Sequence, residues 1–164
     1  MTKAIYPGSF DPITLGHLDI IRRIEPLFSE LVVVVANSQR KQYLFSLEER
    51  VELIRANLSG LARVSIDKCD GLMVDYADAV GASVIVRGLR AVSDFEYEFA
   101  MGTMNKKLNP KVETMIVFTR PEYSFVASTM VKEIAYHGGD LDKLVPANVR
   151  DALARRIQPQ SKRS

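Results

Sequence analysis

The residues best suited to chemistry lie in a few short segments, the first being Tyr6-Pro7-Gly8-Ser9-Phe10-Asp11-Pro12-Ile13-Thr14-Leu15-Gly16-His17. It follows a strand-like stretch and leads into an amphipathic one. The spacing therefore predicts a loop that delivers Gly16 and His17 to a helix start. Two glycines let the backbone approach a ligand, and two prolines stiffen the turn. Free N–H groups and the dipole at a helix start favour phosphate. An imidazole projecting from an exposed start can donate to a phosphoryl oxygen as negative charge builds, while contributing little to folding. The same residues also fit a plain strand–helix turn, with His17 a polar surface side chain. The loop matches neither G-x-x-x-x-G-K-[ST] nor G-x-G-x-x-G, which counts against a Walker A loop and a dehydrogenase.

Three further segments carry charge or hydroxyls. Arg87-Gly88-Leu89-Arg90 reads as following a fourth strand, and guanidinium forks there suit phosphate. Lys41 sits in the polar loop Asn37-Ser38-Gln39-Arg40-Lys41-Gln42, where it can bridge phosphates or simply be solvated. Val126-Ala127-Ser128-Thr129-Met130-Val131-Lys132 reads as a loop opening a helix, with hydroxyls and N–H groups able to hold phosphates. An ordinary Ser/Thr cap fits that segment as well. Gly71-Leu72-Met73 follows a third strand and fits either an apolar ligand arm or plain packing. His137, beside Gly138, reads as part of a helix C-terminal cap.

The elements that must position these residues alternate. Leu31-Val32-Val33-Val34-Val35-Ala36 is short, continuous and β-branched, as in a strand buried on both faces. Residues 83–86 and 114–118 read the same way, and 3–7 and 63–67 are weaker strands. Between them, Leu18, Ile21, Ile24 and Phe28 lie near helical spacing, with Pro26 distorting the end. Ser46 with Glu49, and Ser93 with Glu96, read as capping boxes. Ser128 or Thr129 fits a cap on a helix ending at Gly138-Gly139, and Pro146 opens a last helix. The pattern predicts an α/β, Rossmann-like, doubly wound sheet of about five parallel strands with helices on both faces.

Composition agrees with one globular domain over residues 1–164. The chain is 47% hydrophobic and 26% charged, enough to bury a core. A net charge of +2 gives no global pull toward nucleic acid or membrane. Basic residues gather at the end, and 159–164 reads as a frayed basic tail. The single cysteine, Cys69, excludes an intramolecular disulfide and a cysteine metal cluster. No apolar stretch reaches the roughly 18–20 residues of a membrane helix, and the first segment lacks a signal-peptide pattern. The expected location is cytoplasmic.

Taken in order, the motifs become specific. Gly8-Ser9-Phe10-Asp11-Pro12 with Gly16-His17 resembles the first signature of the nucleotidylyltransferase superfamily. Val126-Ala127-Ser128-Thr129 with Lys132 resembles the second, I-S-S-T followed by a basic residue. Most members carry His-x-Gly-His; here Thr14 replaces the first histidine, as is usual in the phosphopantetheine branch. Ala91 to Glu98 and Leu47-Glu48-Glu49-Arg50 fit as well. The resemblance to phosphopantetheine adenylyltransferases runs from Ala4 to about Leu153.

That resemblance implies transfer of AMP from ATP to 4′-phosphopantetheine, giving dephospho-coenzyme A and pyrophosphate. It implies His17 and Lys41 as catalytic residues. The acceptor would meet Ser9, Lys41, Met73 and Arg87. ATP would meet Ser9, Phe10, His17, Gly88, Leu89, Arg90 and Glu98, together with Tyr123, Ser124, Phe125, Val126, Ala127, Ser128 and Thr129. Mg²⁺ is expected with the nucleotide, held by phosphates and water without a dedicated protein metal site. The family's homohexamer is implied too. The alternatives are another phosphate acceptor within the superfamily, a noncatalytic nucleotide-binding module, or a nucleic-acid module using the basic tail.

Overall fold

The structure is a computed structural model and describes residues 2–157; the basic tail expected over 159–164 lies outside them. Its strands are β1 (Lys3–Gly8), β2 (Glu30–Ala36), β3 (Val64–Cys69), β4 (Val84–Leu89) and β5 (Glu113–Phe118). Its helices are α1 (Leu15–Ile24), α2 (Leu47–Arg55), α3 (Met73–Ala79), α4 (Val92–Leu108), α5 (Ser128–Tyr136) and α6 (Ala147–Arg156). All strand pairs are parallel, in the order β3-β2-β1-β4-β5.

Side chains alternate across the central strands, so two cores form. Ala4, Tyr6, Val33 and Val35 pack on one face with α1, α2, α5 and α6. Ile5, Val32, Val34 and Ile85 pack on the other with Val74 and Ala77 of α3. This is the doubly wound arrangement that the valine run and the interleaved helices predict.

The chain builds β2 and β3 on one side of β1, then crosses to place β4 and β5 on the other. Strand order therefore reverses between β1 and β4. A crevice opens there beyond the carboxyl ends, where such sheets bind ligands.

Several boundaries differ from the expectations in informative ways. Arg87, Gly88 and Leu89 belong to β4 itself, not to a loop after it. A Cβ on Gly88 would stand 2.6 Å from Ile20 Cδ1, so glycine lets the strand end lie against α1. Pro26 falls in a single 3₁₀ turn, Glu25–Leu27, just beyond α1. The Ser46–Glu49 capping box is formed. The Ser93–Glu96 box is not: Ala91 holds the cap position, without a side-chain bond, and Ser93 already lies inside α4. Ser128 likewise lies inside α5, and its hydroxyl donates to the Pro12 carbonyl at 2.7 Å.

Candidate active site

At the switch point lies a cavity of about 410 Å³. The β1–α1 loop supplies Ser9 and Phe10 to its wall, and the first turn of α1 supplies His17. The end of β4 and the turn beyond it add Arg87, Gly88 and Arg90, and α4 adds Glu98. The start of α5 closes the wall with Val126, Ala127, Ser128 and Thr129. Both signature segments thus meet in one place.

Other expected site residues stand apart from this cavity. Leu89 is buried at the strand end. Tyr123 lies against Gly16, Ser124 is half-buried with its hydroxyl donating to the Pro121 carbonyl, and Phe125 is exposed. Lys41 is exposed on its loop beyond β2. Met73 does not belong to a loop; it opens α3 and packs against the core on the opposite sheet face.

Sequence reasoning missed Ile20, Asp94, Tyr97 and Thr119 as lining residues, and assigned Ser93 to a cap. Asp94 and Tyr97 fall in a segment with a visible helical start, so their facing could have been read from helical spacing. Thr119 sits one residue past β5 and carried no motif.

The imidazole of His17 is held firmly. Its Nδ1 accepts the Thr14 backbone N–H at 3.1 Å and lies 3.0 Å from the Thr14 hydroxyl. In return, the hydroxyl accepts the His17 N–H. The ring also meets Phe10 edge-on, with centroids 5.1 Å apart. His17 is therefore a capping residue as well as a cavity residue, which corrects the expectation of a loosely exposed side chain. Because Nδ1 must accept, the neutral ring carries its proton on Nε2. Burial, reinforced by the charges of Arg90 and Arg87, holds the His17 pKa down at about 4. At neutral pH the group is a fixed, uncharged Nε2–H donor.

The cations are partly committed. Arg87 donates from Nε and Nη2 to the two Glu98 oxygens at 2.8 and 2.7 Å, and from Nη1 to the Pro7 carbonyl at 3.0 Å. Burial works against its charge, but the Glu98 bonds outweigh this and raise its pKa. Arg90 forks onto Asp94, with Nε 3.1 Å from Oδ2. Each carboxylate over the cavity is thereby matched to an arginine.

The two helix starts differ. On α1, Leu15 N–H goes to the Leu144 carbonyl and His17 N–H to Thr14. On α5 no side chain caps the start, so its first N–H groups remain available beside the cavity. Anion binding accordingly favours α5. Its placement comes from a latch: buried Asp11 accepts Leu44 and Phe45 N–H groups at 2.9 Å and the Lys132 ammonium at 3.0 Å.

Comparison with known proteins identifies the family. Residues 5–134 match the family model described as cytidylyltransferase-like. The fold and site together make this a cytidylyltransferase-like nucleotidyltransferase. The solved Plasmodium falciparum nicotinic acid mononucleotide adenylyltransferase, complexed with NaAD, has the same fold: its TM-score is 0.69 at 14% identity, over 93% of this chain and 94% of that one. The phosphopantetheine adenylyltransferase of Bdellovibrio bacteriovorus is 54% identical over 155 residues, 94% of this chain and 97% of its own. That of Caldanaerobacter subterraneus subsp. tengcongensis is 50% identical over 164 residues, the full length of both. The chain belongs to the phosphopantetheine adenylyltransferase family.

Proposed function

We propose that the protein transfers the adenylyl group of ATP to 4′-phosphopantetheine, releasing pyrophosphate, as a step of coenzyme A biosynthesis. The observation that carries the reading is the convergence of the neutral His17 donor, Arg90 and the uncapped start of α5 on one cavity. A phosphomonoester already bears negative charge near neutral pH, its second pKa being about 6, so the acceptor needs no strong base. Its oxygen bonds to the α-phosphorus while the bond to the β-phosphate bridging oxygen breaks and pyrophosphate leaves. The protein aligns the two and stabilises developing charge. His17 Nε2–H serves an equatorial phosphoryl oxygen. The α5 N–H groups and Arg90 hold the β- and γ-phosphates.

In this reading Arg87 presents its remaining N–H groups to the acceptor phosphate while fixed by Glu98. Lys41 reaches across from its loop to bridge donor and acceptor, and Met73, at the start of α3, meets the pantetheine arm where it extends beyond the cavity. Mg²⁺ would accompany the nucleotide and offset the charge of its phosphates. No group of three or more His, Cys, Asp or Glu among the described residues is arranged to hold a metal, and the cavity carboxylates are bound to arginines.

The protein acts in the cytosol as a homohexamer in this proposal. Exposed apolar side chains on α4, among them Phe95, Tyr97, Phe99 and Met104, support a self-assembling surface. No described helix is long and apolar enough to cross a membrane. A pyrophosphate-release assay with ATP and phosphopantetheine, nicotinamide mononucleotide or glycerol phosphate tests the reaction. Release is expected with phosphopantetheine alone. Preference for another acceptor, or nucleotide binding without release, overturns the reading.

A further inference from the structure

Arg50 is 1% exposed, yet none of the ion pairs among the described residues includes it. A buried charge is retained only where polar groups replace the lost water. Here Nη1 donates to the Ser9 carbonyl at 2.8 Å and the Ala36 carbonyl at 3.0 Å, and Nη2 donates to Asn37 Oδ1 at 2.8 Å. The guanidinium lies 3.9 Å over the Tyr43 ring, and the Tyr43 hydroxyl accepts the Ser38 N–H at 2.8 Å. One side chain of α2 therefore ties the β1–α1 loop to both ends of the segment that carries Lys41.

The bond to Ser9 has a directional consequence. In a trans peptide the C=O and N–H point opposite ways. With the Ser9 carbonyl turned to Arg50, the Phe10 N–H of the same peptide faces away from Arg50, and both Ser9 and Phe10 border the cavity. Phe10 has φ of 47°, a left-handed conformation that a bulky residue keeps only when its surroundings hold it. A charged donor on the carbonyl also polarises the peptide and makes its N–H a stronger donor.

We propose that Arg50 is a positioning residue for adenylyl transfer, holding the Ser9–Phe10 peptide with its N–H toward the nucleotide phosphates and fixing the Lys41 segment against the same loop. It contributes no atom or proton to the reaction. The inference rests on the adenylyl-transfer reading. The test is pyrophosphate release by the parent, Arg50→Gln, Arg50→Lys and Asn37→Ala, with ATP and phosphopantetheine varied separately and each assay run below that variant's own unfolding transition. Urea denaturation of each variant reports stability independently.

Arg50→Gln should lower kcat roughly 10–100-fold and raise KM for ATP, the scale for losing an orienting partner. Arg50→Lys should restore little, because an ammonium cannot span two loops as a planar fork does. Asn37→Ala should shift the constants the same way by less. If Arg50→Gln fails to fold, the other two variants decide. Parental kcat and KM in Arg50→Lys and Asn37→Ala, even with lowered urea midpoints, would reduce Arg50 to a purely structural role and overturn the proposal. A parent that releases no pyrophosphate overturns the function reading first, and this inference with it.

Discussion

At the scale of the residue, His17 has two functions that one measurement cannot separate. Its Nε2–H serves the transferring phosphoryl group in the proposed reaction, and its Nδ1 caps α1. His17→Asn should lower kcat roughly 10²–10³-fold, the range for losing one preorganised donor. Replacement by alanine should also cost about 1 kcal/mol of stability through the lost cap contact. The pH dependence follows from linkage. An unfolded imidazole binds a proton near pH 6.5, whereas folded His17 does so only near pH 4. In that window the unfolded chain holds more protons, so stability is lost as pH falls from 6.5 toward 4. Urea midpoints measured across the window should fall for the parent and fall less for His17→Asn. Equal slopes would mean that the folded imidazole titrates normally. Arg87 poses a similar problem, since it is bound to buried Glu98. Arg87→Ala should weaken the acceptor and also destabilise by on the order of 3 kcal/mol, because it strands a buried carboxylate. Adding Glu98→Ala should recover stability without recovering acceptor affinity. Calorimetric titration beside thermal melting would show whether the two effects separate.

At the scale of the element, a capping box was readable in the sequence only where helix start and spacing coincide. Ser46 and Glu49 satisfy each other's backbone partners three residues apart, so the box is visible in the letters. Ser93 and Glu96 have the same spacing, but α4 begins two residues too early for Ser93 to cap it. Ser46→Ala should therefore cost about 1 kcal/mol, and Ser93→Ala close to none, in denaturant unfolding. A sizeable loss from Ser93→Ala would contradict the observed helix start. The hydroxyl of Ser128 and the carboxylate of Asp11 were unreadable for a different reason. Their partners, Pro12 and Lys132 respectively, lie 116 and 121 residues away along the chain. Asp11, Ser128 and Lys132 join the two signature segments to each other, which the linear order of the motifs could not reveal.

At the scale of the whole molecule, the doubly wound sheet was legible because buried parallel strands must be continuous and apolar, and β2 is both. Strand order was not, since no local residue records which neighbour a strand will choose. The distance of Lys41 and Met73 from the cavity belongs to the same scale, for both hang from the β2–β3 side of the sheet. Helix α4 gives the clearest molecular signal. Apolar side chains recur on more than one of its faces: Val92, Phe95 and Phe99 on one stripe, Tyr97, Met101, Met104 and Leu108 on another. Glu98 is its only buried residue. Large apolar stripes on a helix are normally covered, yet a single chain leaves these in water. In the proposed assembly other copies of the chain cover it. Phe99 is 65% exposed and stacks on Phe95 with centroids 5.9 Å apart, so it can be changed without opening the core. Phe99→Asp should shift the protein from a multi-subunit species to a smaller one in light scattering, while circular dichroism keeps the parental helix content. Tyr97 and Glu98 of the same helix line the cavity, so activity should fall on dissociation and recover partly at high protein concentration. A parent that is already monomeric at working concentration would refute the assembly and leave the apolar face of α4 to some other occupant.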